Sequence, residues 1–275
     1  MSLITIIFPG THDIELDGGR SVPPVFSIED KRAAITPNAA SLSTDDNQVL
    51  DKSASREEAW AQECSTSPEG QVTLLSAASD SHFPSAVTWI LTADAHERCA
   101  RILMYDLGFT ASQLSILKKY AEQFPYGNVH IVPFDMEKYP PHASLSARTY
   151  AWKPLLIKEV VEKYGGLVMW NDAGDVINGR LDKLYNITRQ FGFFSAVAKG
   201  TMKDWTFPAT LERFEIQEDL YDKPELSGAV IAIDTTNKTV MKTVVNPWFE
   251  CALEKECIAP KGSSRKNHRQ DQAII

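Results

Sequence analysis

No apolar run in this chain approaches the ~20 residues that a membrane-spanning helix needs. The one at its start, LITIIF, has neither a basic flank nor a small-residue cleavage site, which argues against a signal peptide. Cysteine is also scarce. Cys64, Cys99, Cys251 and Cys257 are scattered and form no Cys-x-x-Cys pair, so neither a zinc site nor a dense disulfide framework is expected. Positive charge is short too: the net charge is −8, and no run of Lys and Arg precedes the C-terminal stretch. A nucleic-acid binder normally shows a basic footprint, so that class is excluded. The basic residues that do cluster, Lys261, Arg265, Lys266, His268 and Arg269, form a local patch suited to one phosphorylated ligand.

What is present is a globular composition of 275 residues, 43% hydrophobic, enough for one large domain or two small ones. The division expected is a tail or stem over 1–70 and a folded domain over 71–275. From about Gly10 to Gly70, Ser, Asp, Glu, Pro and Ala dominate. Such a stretch buries too little apolar surface to offset its ordering entropy, and a flexible segment is expected, with a short helix around Arg56 to Gln62.

After Gln71 the texture changes. VTLLSA (Val72 to Ala77), RILMYDLG (Arg101 to Gly108) and NVHIVPF (Asn128 to Phe134) read as buried strands. Between the second and third, Leu114, Leu117 and Ala121 share one helical face while Lys118, Lys119 and Glu122 share the other. Strand, helix, strand at this spacing predicts a βαβ unit and a largely parallel sheet. In SARTYAWKPLLIKEVVEKYGG, Pro154 suits a first helical turn and Gly165 a left-handed cap. That helix leads into the strand GLVMW; FFSAVA (Phe193 to Ala198) and GAVIAI (Gly228 to Ile233) follow as strands, then a helix from about Thr239 to Glu256.

GLVMW is apolar on both faces, which predicts a central strand, and it runs out into Asn171-Asp172-Ala173-Gly174-Asp175. Ligands of open α/β sheets bind at carboxyl ends of this kind. Two neighbouring carboxylates stay ionised together only beside a cation or in ample solvent. A hard divalent ion would meet that need and keep positions open for phosphate oxygens. An Asx-type turn at a strand end accounts for the same residues.

The succession VTLLSAAS, RILMYDLGFT, NVHIVPF, YAWKPLLIKEVVEKYGGLVMWNDAGDVI, LSGAVIAID and HRQDQAII resembles the GT-A nucleotide-diphospho-sugar glycosyltransferases, most closely a eukaryotic branch with a YAWKP helix and an acidic turn. The likeness runs from about Val72 to Ile275. It implies a mixed, mostly parallel Rossmann-type sheet flanked by helices, a nucleotide-sugar donor and a carbohydrate or glycoconjugate acceptor. It places Ser76 and Ala77 near the nucleoside, and Asp172 and Asp175 on Mn²⁺ or Mg²⁺, with His268 as third ligand. The family's usual Asp-x-Asp is spaced Asp172-x-x-Asp175 here; Asp172 is favoured as the direct ligand. Lys153, Lys266 and Arg269 are candidates for the diphosphate, Ser227 and Gly228 for the acceptor. Asp271 and Gln272 match an element beside the anomeric carbon in some retaining families; in an inverting course Asp271 would be the base. The sequence leaves both courses open.

Two other readings compete. A non-catalytic GT-A-like protein that binds a glycan or partner is suggested by the altered acidic spacing and by the chain's end soon after the late motif. A sugar-phosphate nucleotidyltransferase ranks last, because SAASDSHFP lacks a Gly-rich basic loop. The resemblance also implies a Golgi-type lumenal setting, with membrane association only through an anchor outside this sequence; a cytosolic location is the alternative. Asn186-Ile187-Thr188 and Asn237-Lys238-Thr239 are glycosylation sequons in the lumenal case.

Overall fold

The computed structural model describes residues 58, 62, 64, 72–124 and 128–275. The chain divides into two units, Met1–Lys52 and Ser53–Ile275, and the first lies wholly outside the described residues, as does most of the stem expected over 1–70. Glu58, Gln62 and Cys64 are helical, at the place where a short helix was expected.

Six strands form one sheet in the order β3-β2-β1-β4-β6-β5. They are β1 (Val72–Ala78), β2 (Arg101–Asp106), β3 (Val129–Pro133), β4 (Leu167–Asn171), β5 (Phe193–Thr201) and β6 (Pro224–Asp234). Every residue of β1 and β4 is buried, the signature of strands covered on both faces. The pairs β1–β2, β2–β3 and β1–β4 are parallel, whereas β6 runs antiparallel to β4 and to β5. The mixed, mostly parallel sheet expected from the sequence is therefore the one found. The reversal at β6 was not foreseen, since VIAI is apolar on both faces whichever way it runs.

Helices cover both faces. α1 (Phe83–His96) buries Ala86, Trp89, Ile90 and Ala93, a stripe at helical spacing. α2 (Ala111–Ala121) starts in a capping box: the Thr110 hydroxyl accepts from the Gln113 amide, and the Gln113 side chain accepts from the Thr110 amide. With α4 (Asp182–Phe191) these helices close one core over Leu74, Ile102, Met104, Met169 and Ala232. α3 (Trp152–Tyr164) ends at Gly165, but with φ +63° and ψ −160° this is not the left-handed cap expected there; it is an extended positive-φ state open essentially to glycine alone. Its Leu155, Leu156 and Val160 pack on Leu75, Leu103, Val168, Trp170 and Ile231 from the opposite face. Full burial of each such side chain contributes about 1.5–3 kcal/mol, so two separate cores hold the central strands in place.

Short helices α5 (Met202–Trp205) and α6 (Pro208–Arg213) bridge β5 and β6. After β6, a helical run passes through a π turn at Met241–Val245 into α7 (Asn246–Leu253), followed by α8 (Lys255–Ile258). Among the described residues no helix is long and apolar enough to cross a membrane.

The cysteines are paired, two bonds rather than a dense framework. Cys64 bonds to Cys99 and Cys251 to Cys257, leaving no free thiol among the described residues. Closing a loop of 35 positions removes on the order of 4 kcal/mol of unfolded-chain entropy in the loop-closure model. Scattered spacing concealed these pairs because the fold, not the sequence interval, brings Cys64 to the loop after α1.

Candidate active site at the carboxyl ends of β4 and β6-facing loops

The strand order steps outward from β1 to β2 to β3, then returns to the other side of β1 with β4. The crevice beyond the carboxyl ends of β1 and β4 is where such a sheet binds ligands. β4 delivers Asp172 into that region, and its amide still donates to the Ala229 carbonyl of β6 at 2.8 Å.

The first turn of α3 aims Lys153 at the same point. Its side chain is only 7% exposed. The ammonium donates to Asp172 Oδ1 at 2.9 Å and to the Gly228 carbonyl at 3.0 Å, and it lies 3.5 Å from Asp271 Oδ2. Trp170 Nε1 donates to the same Oδ1 of Asp172 at 2.9 Å, and the ammonium stands 5.0 Å from the centre of that ring. Trp152 is buried beside Trp170, with ring centres 5.8 Å apart.

The C-terminal segment forms the remaining wall. Trp248 Nε1 donates to the Asp271 carbonyl at 2.8 Å, and the Arg269 amide donates to the Trp205 carbonyl at 3.0 Å. These bonds press the Gln270–Ile274 turn onto β6. A Cβ at Gly228 would stand 3.4 Å from both Asp271 Oδ2 and Gln272 Cβ, so glycine permits that close approach. Tyr150 and Gln270 both hold positive φ, +56° and +44°, a backbone state that non-glycine residues adopt at a cost and that gathers at functional sites.

A cavity of about 440 Å³ results, into which Lys153, Asp172, Gly228, Asp271 and Gln272 all face. Its rim carries two guanidinium groups over aromatic rings: Arg269 lies 4.0 Å from the Trp205 ring centre and Arg265 lies 5.6 Å from that of Tyr150.

Charge is finely set here. Burial works against the Lys153 ammonium, but Asp172 and Asp271 outweigh it and hold the pKa above the ordinary lysine value. Burial pushes Asp271 up to about 6, opposed by Lys153 and reinforced by Asp172. Asp271 is 5% exposed, and its Oδ2 has an ion-pair neighbour but no aligned hydrogen bond. Burial likewise raises Glu225 to about 7 against the pull of Arg269, whose Nη1 lies 3.2 Å away.

The Glu225 shift fixes a pH dependence. A carboxyl whose folded pKa lies above its unfolded value contributes stability below about pH 4, which is lost as pH rises through about 7. Glu225→Gln should therefore match the wild type near pH 5 and exceed its stability at pH 8 by about 1–3 kcal/mol. Thermal unfolding of both proteins across that range measures it; a constant difference between them would contradict the assignment.

Several expected residues take other places. Ser76 is fully buried in the middle of β1 with its hydroxyl unbonded, and Ala77 belongs to the core beneath α3, so neither lines the cavity. Ser227 accepts from the Ala229 amide through its hydroxyl and from Ser195 through its carbonyl, and also stays outside the cavity lining. Lys266 is exposed on the preceding loop and does not line it.

The metal ligands are not assembled either. His268 is fully buried: Nδ1 accepts from the Phe207 amide at 3.2 Å and Nε2 donates to the Ile258 carbonyl at 3.0 Å, so both ring nitrogens are occupied. Burial lowers its pKa, consistent with a neutral ring that anchors the segment. Asp175 closes the turn through its amide, which donates to the Asp172 carbonyl at 2.9 Å; burial and then Asp172 raise its carboxyl to about 6. No three His, Cys, Asp or Glu side chains among the described residues could together hold a metal ion. The partner that Asp172 does find is the Lys153 ammonium, which lies where a cation serving Asp172 and Asp271 would have to lie. This donor set does not fit a resident divalent ion.

Trp170, Tyr150, Trp205 and Glu225 were not foreseen as site residues. Tyr150 and Trp170 lie in the YAWKP and GLVMW strings; Glu225 carries no sequence signal, because its burial and its contact with Arg269 are made only by the fold.

No curated protein matches the sequence. The structure is similar to the mannosyltransferase Ktr4p from S. cerevisiae in complex with GDP, at 10% identity and TM-score 0.48, covering 86% of this chain and 76% of that one. It is also similar to mouse xyloside xylosyltransferase 1 in its apo form, at 11% identity and TM-score 0.44, covering 74% and 78%. The galactosyltransferase LgtC, in complex with donor and acceptor sugar analogues, matches at 11% identity and TM-score 0.45, covering 74% and 68%. Residues 44–158 match a family described as a protein of unknown function, DUF1647, a span that contains Lys153 and stops before Asp172 and Asp271.

Proposed function

We propose that the chain is a glycosyltransferase that moves a sugar from a nucleotide-diphospho-sugar to a hydroxyl of a glycan or glycoconjugate. The observation that carries this reading is Asp271: a nearly buried carboxylate whose Oδ2 has the Lys153 ammonium 3.5 Å away but no aligned hydrogen bond, facing a polar cavity at the ligand-binding end of a mostly parallel sheet. The resemblance of the sequence to GT-A enzymes supports it.

In this reading Arg265 and Arg269 receive the diphosphate, and Asp172 and the Gly228 region orient hydroxyls. In an inverting course Asp271 takes the acceptor hydroxyl's proton as the hydroxyl oxygen attacks the anomeric carbon and the nucleoside diphosphate departs with the bonding pair. A base near pKa 6 is suited to that task at neutral pH. In a retaining course Asp271 or Gln272 stands beside the anomeric carbon instead. The two disulfides favour an oxidising compartment, in keeping with a secretory-pathway enzyme.

Titration of UDP and GDP into the protein, followed by assay of nucleoside diphosphate released from UDP- and GDP-sugars with glycan acceptors, tests the proposal. Binding of one nucleotide with acceptor-stimulated release is expected. Glycan binding with no nucleotide binding would favour the non-catalytic alternative.

A further inference from the structure

We infer that Lys153 replaces the divalent cation in this site, so that donor binding is independent of metal and the diphosphate is neutralised by Arg265 and Arg269. The inference rests on the reading of the cavity as a nucleotide-sugar site, and it departs from the metal dependence expected from the sequence.

A carboxylate as buried as Asp271, with the half-exposed Asp172 carboxylate beside it, needs a cation. In this fold the cation is covalently part of the chain: the Lys153 ammonium spans Asp172 at 2.9 Å and Asp271 at 3.5 Å, with the Gly228 carbonyl taking a further N–H at 3.0 Å. Its donors are thereby directed at groups of the protein itself. A divalent ion bound between the same carboxylates would have to displace the ammonium or sit against it, and two cations a few ångströms apart beside the buried Asp271 repel each other. The other expected ligands offer no alternative, because both nitrogens of His268 are spent and Asp175 lies outside the cavity lining.

With the ammonium engaged by the carboxylates, the charge of a departing diphosphate must be met elsewhere. Arg265 and Arg269 both line the cavity, and each is steadied against an aromatic ring. Guanidinium groups are always charged and offer paired donors suited to phosphate oxygens.

The test is calorimetric titration of UDP and GDP into wild type and Arg265→Gln/Arg269→Gln, each in EDTA and in Mn²⁺, with circular dichroism to check that the variant is folded. Wild-type affinity is expected to agree within about twofold in the two buffers, and the double variant to bind at least about tenfold more weakly in both, as loss of charge-assisted contacts requires. Binding that appears only with Mn²⁺, or tightens tenfold in it, overturns the inference and leaves the glycosyltransferase reading standing. Unchanged affinity in a folded double variant overturns the arginine assignment. Failure of wild type to bind either nucleotide in any buffer overturns the glycosyltransferase reading itself.

Discussion

Lys153→Met is expected to destabilise the fold by about 3–5 kcal/mol, the cost typical of removing one partner from a buried ion pair. The ammonium is nearly inaccessible and is the cation nearest both Asp172 and Asp271. Without it, Asp271, 5% exposed, must remain charged with no counter-ion or take up a proton, and the Gly228 carbonyl loses its donor. In a domain of this size the loss corresponds to a fall in Tm of roughly 10 °C. Adding Asp271→Asn should recover much of it, because the amide no longer needs a cation. Thermal unfolding of the single and double variants gives the coupling between the residues. Equal stability of Lys153→Met and wild type would mean that Asp271 is far better solvated than its burial indicates.

Asp271→Asn alone should do the reverse to stability while removing function. At neutral pH the wild-type carboxyl is ionised in a site that raises its pKa to about 6, so the neutral amide relieves a cost and the variant should be at least as stable. Transfer should fall by about 10²–10⁴, the usual contribution of a positioned acid or base. Wild-type kcat/KM should climb as pH rises through about 6 and then level, and that limb should vanish in the variant. A stable Asp271→Asn protein with undiminished transfer would remove Asp271 from the chemistry.

These opposed effects follow from where the carboxylate sits. A site that holds charge in a buried, strained setting costs stability and gives reactivity in return, as at Tyr150 and Gln270, where the cavity wall keeps left-handed backbone.

Elements with local signals are legible in the chain. Apolar runs placed β1, β2, β3 and β4, and Pro154 with Gly165 bounded α3. α1 and α4 carry no clear sequence signal: FPSAVTWIL is apolar nearly throughout, and DKLYNITRQF mixes β-branched and aromatic residues that carry weak helical preference. Lys153, Asp172, Gly228 and Asp271 were each singled out from the sequence, but their grouping was not. Nearness in the chain suggested Asp172 with Asp175; the fold instead sets Asp172 and Asp271 about one ammonium, because α3, β4, β6 and the C-terminal turn meet there. The pairing of the cysteines, the direction of β6, the closure of His268 and the burial of Glu225 likewise depend on contacts between distant segments. Burial and through-space charge are properties of the packed chain, whereas propensity and periodicity act within a few residues of their origin.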